Sequence, residues 1–289
     1  MARSEPTTQV VYLFLKDYIK QHTYPPSLRE IAEGCYLSVA GVLRHLDHLE
    51  WEGKLRREPA RARGITLVDE DEQAKGRPVL VLNRLASALG RNDELPNQIL
   101  AKEIAEAGDE AAVQELIDHL TDANKDIQND CIKVLYEIGA RKPELLDNGV
   151  AVDAFLRLLS SRNNRLVWGG MTALGTIADR QAAAIWQQID RVMDTTDQGS
   201  AITQDWGIRV VATVSAQDAA YEERIFPFLL AFLKRCLPKD LPRHAESALI
   251  AVHAGNQAQM LALLESRKGA LKPAQRKRVE QVIRKIKVL

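Results

Sequence analysis

The residues best equipped for chemistry in this chain are arginines, and the chemistry they suit is anion recognition rather than catalysis. From Lys54 to Arg63, five cations (Lys54, Arg56, Arg57, Arg61 and Arg63) stand against Glu58 alone, a local charge of +4 in a chain of formal charge zero. A guanidinium presents a planar fork of donors that matches phosphate oxygens. A second concentration lies between Arg267 and Leu289, where nine cations face only Glu280; that +8 leaves −12 for everything else. Two basic poles on an acidic body polarise the molecule towards polyanions. Signals of covalent or metal chemistry are weak by comparison. Cys35, Cys131 and Cys236 are widely spaced in apolar helical contexts and read as buried thiols. His45 and His48, with Glu52 nearby, make a single i, i+3 pair, so no metal and no cofactor is expected. Trp168-Gly169-Gly170 falls inside a helical pattern rather than after a strand, which excludes a phosphate loop.

The elements that must position the first basic cluster are legible around it. Pro25-Pro26 stops a preceding helix, because proline removes a donor and restricts its neighbour. Ser27-Leu28-Arg29-Glu30 is a capping box that starts a short helix, and Gly34 suits a left-handed terminus. Ser38 caps a third helix in which Val42, Leu46 and Leu49 fall on one core-facing side, with Gly53 closing it. Two strand-like runs follow, Lys54 to Arg57 and Gly64 to Val68, around a tip rich in Arg, Pro and Ala. Helix, turn, helix and a two-stranded wing is an architecture that docks on DNA.

Residues 6–68, under a quarter of the chain, resemble the DNA-binding domain of the LexA repressor family. The likeness rests on PPSLREIAE, on the S-x-x-x-V-x-x-H-L-x-x-L frame from Ser38 to Leu49, and on the E-x-x-G-x-L-R-R-x-P closure. It implies that the third helix enters the major groove. Ser38, Ala40, Gly41, Leu43 and Arg44 then lie nearest the bases, with Arg44 paired to guanine and Ala40 and Leu43 against thymine methyls. Arg29, Arg56, Arg57, Arg61 and Arg63 are expected on phosphates, Arg61 or Arg63 reaching a minor groove, and Ser27 is expected to present its hydroxyl and amides to a phosphate. Members of that family carry more polar residues where Ala40 and Leu43 stand, so their target sequence is not inherited. The family's second half, a self-cleaving peptidase with a serine-lysine dyad, has no counterpart here.

Beyond the winged helix the chain changes character. Residues 69–78 are charged, lack periodicity and read as a linker. From residue 79 to 289 a helical frame recurs: Ile127, Cys131, Leu135, Ile138; Leu166, Gly170, Leu174, Ile177; Thr203, Gly207, Val211, Val214; Leu241, Ala245, Leu249, Val252. The offsets of about 38 residues, each with another amphipathic helix upstream, resemble HEAT-type repeats. The recurring small residue allows close helix approach. Residues 79–89 and 99–107 are expected to cap one end, and 273–289 the other, with Val279, Val282, Ile283 and Ile286 docked inward. The fold class expected is therefore mainly α: a small α+β winged helix-turn-helix followed by an α-solenoid.

The function expected is a DNA-binding transcriptional regulator, with double-stranded DNA as one partner and a protein or a second copy of the chain on the solenoid. Two alternatives stay open. One is an interaction scaffold whose winged helix no longer meets DNA. The other follows from Trp168, Trp186, Trp206 and Asp205, because one group of alkylpurine DNA glycosylases is built from HEAT-like repeats with aromatics and an acid in a cleft. No run is long enough for a membrane span, and Val10 to Leu15 is short for a signal peptide, so a cytoplasmic compartment beside the nucleoid is expected.

Overall fold

The structure, a computed structural model, describes residues 5–22, 24–51, 54–57, 63–68 and 81–289. The chain divides into two compact units, residues 1–80 and 81–289.

In the first unit, α1 (Glu5–His22), α2 (Leu28–Gly34) and α3 (Val39–Trp51) precede β1 (Leu55–Arg57) and β2 (Ile65–Leu67). The strands pair antiparallel with Leu55 opposite Leu67 and Arg57 opposite Ile65. Val11, Leu15, Ile31, Val42, Leu46, Leu49 and Leu55 are almost fully buried and form a core separate from that of the second unit. The capping box is present: the Glu30 amide donates to Ser27 Oγ at 3.3 Å, and the Ser27 amide donates to Glu30 Oε2 at 2.6 Å. Gly34 corrects the expectation placed on it. It is the last residue of α2, and the left-handed backbone falls on Tyr36 (φ 56°). What Gly34 supplies is room, because a Cβ there would run into the Phe14 ring. Gly53, the wing tip (residues 58–62, including Arg61) and the linker lie outside the described residues.

The second unit is a stack of helix pairs. One row comprises α4 (Leu95–Ala107), α6 (Lys125–Arg141), α8 (Asn164–Ile177), α11 (Ala201–Ser215), α13 (Leu241–Ala248) and α15 (Pro273–Ile286). The other comprises α5 (Glu110–Asp118), α7 (Gly149–Leu158), the broken pair α9 (Ala182–Trp186) and α10 (Ile189–Gln198), α12 (Ala219–Arg235) and α14 (Gln257–Arg267). Members of the first row pack directly on one another, and their neighbours in the second row pack far less extensively. The repeating frame read from sequence occupies α6, α8 and α11, but it outruns α13, which tightens into a 3-10 turn after Ala248. The first cap also differs from a plain helix pair. Val81–Arg84 is a 3-10 turn, and the chain just after it is held by a buried network in which Asn97 Nδ2 donates to Asp130 at 2.7 Å and the Ala86 amide donates to Asn97 Oδ1 at 3.0 Å. The last cap is α15, with Val279, Val282, Ile283 and Ile286 buried.

The small residues act as spacing predicts. A Cβ on Gly207 would collide with Thr196, whose buried hydroxyl donates to the Val192 carbonyl at 2.7 Å. Gly207→Leu is therefore expected to lower stability by about 1–3 kcal/mol, since the core must shift to admit it. Chemical denaturation of the full chain measures this; an unchanged midpoint would refute the close-packing account.

Candidate nucleic-acid interface

Helical geometry decides which side chains of α3 reach outwards. With Val42, Leu46 and Leu49 buried, the opposite side carries Val39 (41% exposed), Ala40, Leu43 (37%), Arg44 and Asp47. Ser38 is exposed, and its hydroxyl accepts the Gly41 amide at 3.1 Å, so it fixes the start of the helix. Gly41 lies half-buried towards Ser38 and Leu37, to one side of that outward face. The leading face is thus short-chained and apolar, with one guanidinium at its centre. Arg44 makes no ion pair among the described residues, and neither do the exposed Arg29 of α2 and Arg56 of β1.

Of the remaining arginines, the two among the described residues, Arg57 and Arg63, are engaged within the unit. Strand alternation puts Arg57 on the same side as the buried Leu55 and sends Arg56 the other way. Arg57 Nη2 pairs with Asp47 at 2.5 Å and with Glu50 at 2.6 Å, both on α3, and its amide also donates to Glu50 at 2.8 Å. Burial opposes its charge, but the bonds to Glu50 and Asp47 together outweigh that and hold its proton more firmly than in a free arginine. Arg63, at φ 61°, donates to the Pro25 carbonyl at 3.1 Å and to Glu30 at 2.9 Å, and its guanidinium stacks over the Tyr24 ring. It joins the base of the wing to the start of α2. The period-two rule was available in the sequence to separate Arg57 from Arg56.

Glu30 occupies the site that Ser27 was expected to offer a phosphate. Its carboxylate accepts from the Ser27 amide, from Tyr18 Oη at 2.8 Å and from Arg63. Hydrogen bonds from the Ser27 hydroxyl and amide, and then from Tyr18 and Arg63, hold this carboxyl down at about 2. The amino end of α2 therefore carries its own anion. Sequence reasoning missed Tyr36, which is 96% exposed in the left-handed turn between α2 and α3. A large aromatic residue in that conformation is strained and unburied, as is common where side chains meet ligands.

The other candidate chemistries do not assemble among the described residues, which leave out Glu52. His45 Nδ1 lies 2.9 Å from the Thr8 hydroxyl of α1, and burial, with Arg44 and His48 beside it, lowers its proton affinity. No group of three potential ligand side chains gathers among the described residues. Burial pushes the Cys131 thiol up to about 12 and raises Cys35 and Cys236. Trp186 stacks on Tyr221 at 4.3 Å, Trp168 packs against Tyr136, and Trp206 lies over Gly175. Asp205 is held by Arg243 Nε at 2.7 Å and by the buried His244 at 2.9 Å. Each tryptophan thus serves its own helix contact. Among the described residues, no helix is long and apolar enough to cross a membrane.

Residues 6–64 match the sequence model of the LexA DNA binding domain, and the first unit carries that domain. LexA repressor 1 of Geobacter sulfurreducens is 42% identical over 80 residues, 27% of this chain and 40% of that protein. The LexA repressor of Bacillus pumilus is 40% identical over 63 residues, 22% of this chain and 31% of that protein. The chain thus spans well under half the length of the curated relatives it matches. The helical body is similar in fold to armadillo and HEAT-like repeat structures. A designed armadillo repeat protein in complex with the peptide (KR)4 superposes with a TM-score of 0.52 at 14% identity, over 75% of this chain and 95% of that one. Kap121p bound to Nup53p gives 0.51 at 14% identity, over 70% of this chain and 22% of that one.

Proposed function

We propose that the protein is a sequence-reading DNA-binding regulator whose repeat body engages a protein partner or a second copy of the chain. The observation that carries this reading is the outward face of α3, where Ala40, Leu43 and Arg44 are exposed and unobstructed within a LexA-type domain. Arg44 reads a guanine edge, Ala40 and Leu43 contact thymine methyls, and Ser38 sets the entry of the helix. Arg29 and Arg56 contact phosphates and set register without reading sequence. Half-buried Arg57 and exposed Arg63 hold the wing to the helices through carboxylates, while Ser27 acts as a cap. One recognition helix makes few base contacts, so two copies on a palindromic site are the natural stoichiometry. The repeat body is the surface for that pairing or for an effector, and a ligand of chromosomal DNA puts the protein beside the nucleoid. The apolar character of Val39, Ala40 and Leu43 favours one rival, an interaction scaffold that uses α3 against protein.

Selection of bound fragments from a random duplex pool separates the two. A recovered consensus is expected. Arg44→Ala should then relax preference at one base pair, at a cost of about 1–3 kcal/mol on the preferred site. Uniform weakening across all sequences would remove its base-reading role, and failure to enrich any duplex would leave the scaffold.

A further inference from the structure

Several solenoid cations are neutralised by acids of a neighbouring helix or its flank. Arg165 of α8 pairs with Glu94 at 3.1 Å, Arg243 of α13 with Asp205 of α11 at 2.7 Å, and Arg278 of α15 with Glu246 of α13 at 2.7 Å. Among the described residues, other solenoid cations stand unpaired singly, but helix α15 gathers several of them in one place. Arg276, Lys277, Arg284 and Lys285, with Lys287 just past the helix end, are all exposed away from its buried stripe, and none makes an ion pair among the described residues. Even Glu280, one turn from both Arg276 and Arg284, pairs with neither. A bare row of five cations is electrostatically costly to hold together, and the spare acids of this acidic body are not spent on it. The row extends over roughly 16 Å of helix at 1.5 Å per residue. Duplex DNA presents one negative charge per about 1.7 Å of axis over the same span.

From this we infer that the outer face of α15 is a second DNA contact, a sequence-independent site for the phosphate backbone of a duplex. The choice of DNA over another polyanion rests on the reading of the amino-terminal unit; the cations themselves are independent of it. Flexible lysines and arginines on a helix neutralise charge without reading bases, so this site adds affinity and salt dependence but no preference. Two anchors on one chain make the second contact intramolecular, which raises the residence of the regulator on DNA.

The test uses the full chain, a random-sequence duplex and the consensus duplex recovered by selection, with anisotropy measured across a salt titration. One variant carries Arg276→Gln, Lys277→Gln, Arg284→Gln, Lys285→Gln and Lys287→Gln; the other carries Arg29→Gln, Arg44→Gln and Arg56→Gln. All eight side chains are exposed, and a thermal melt checks that both variants fold. The α15 variant should lose about 0.9 from the log-log salt slope for each phosphate contact removed, roughly 2–4 in all, with sequence preference intact. The winged-helix variant should lose preference and retain the steep residual binding. An α15 variant that binds random duplex like the parent overturns this inference and leaves the winged-helix reading standing. A winged-helix variant that binds like the parent does the reverse. A parent with no affinity for duplex overturns both. Loss of an acidic protein partner from the α15 variant, with DNA binding unchanged, also overturns it.

Discussion

Removal of Arg57 is expected to weaken binding to every duplex by on the order of 2–3 kcal/mol, although this arginine faces inwards. Its guanidinium pairs with Asp47 and Glu50, both on the helix that carries the outward face. Asp47 is the more exposed of the two and lies on the same side as Leu43 and Arg44. With Arg57 in place, the three groups sum to a single negative charge. In Arg57→Ala the sum is two, with nothing to hold either carboxylate away from the phosphates. Like-charge juxtaposition at an interface costs several kcal/mol when desolvated and less near water. The expected loss takes the lower part of that range. A direct phosphate contact would produce a similar loss, so the single variant does not identify the cause. Arg57→Ala combined with Asp47→Asn and Glu50→Gln does. The Glu50→Gln side chain keeps an oxygen able to accept the residue 57 backbone amide, so the strand stays tied to α3. Recovery of most of the affinity, measured by anisotropy at fixed salt, identifies Arg57 as a charge neutraliser; no recovery identifies it as a phosphate ligand.

That assignment shows where sequence reasoning stops. The capping box at Ser27, the core positions of α3 and the repeat frame of α6, α8 and α11 were all legible, because each is a local rule with a fixed period. A count of arginines carries no such information. Arg29, Arg44 and Arg56 project from the unit, whereas Arg57 and Arg63 are drawn into it by carboxylates seven to 33 residues away in the chain. Those acids stood in plain view in the sequence, but only the folded register brings them within reach. Gly34 teaches the same lesson from the other side. A glycine at a helix end reads as a conformational device, yet here it clears space for Phe14, a residue of another helix. In the solenoid, the final repeat departs because α13 ends early, and the hydrophobic frame continues into the 3-10 turn without marking the change.

Acid should loosen the first unit through Glu30, and the direction follows from its bonding. In the unfolded chain this carboxyl has its ordinary pKa of 4.5; in the folded unit it lies at about 2. A depressed folded value means that the ionised form is preferred by the native state, so its stabilisation is complete above about pH 5. As pH falls towards 2, protons bind the unfolded chain first and that contribution drains away. The groups involved tie three parts of the unit together: Ser27 at the start of α2, Tyr18 of α1, and Arg63 at the base of the wing. Protonation therefore removes a helix cap and the wing's attachment at once. Glu30→Gln mimics the protonated state at any pH. It should melt at lower temperature than the parent at about pH 7 and converge with it as the pH approaches about 2. The amide resonances of α2, followed by NMR during thermal unfolding, report on this unit apart from the solenoid. If the two melting curves keep a constant separation from about pH 7 to about pH 2, the stabilisation does not arise from Glu30 ionisation. The Ser27, Tyr18 and Arg63 contacts would then be geometric companions of a capped helix, with the acid sensitivity of the unit set elsewhere.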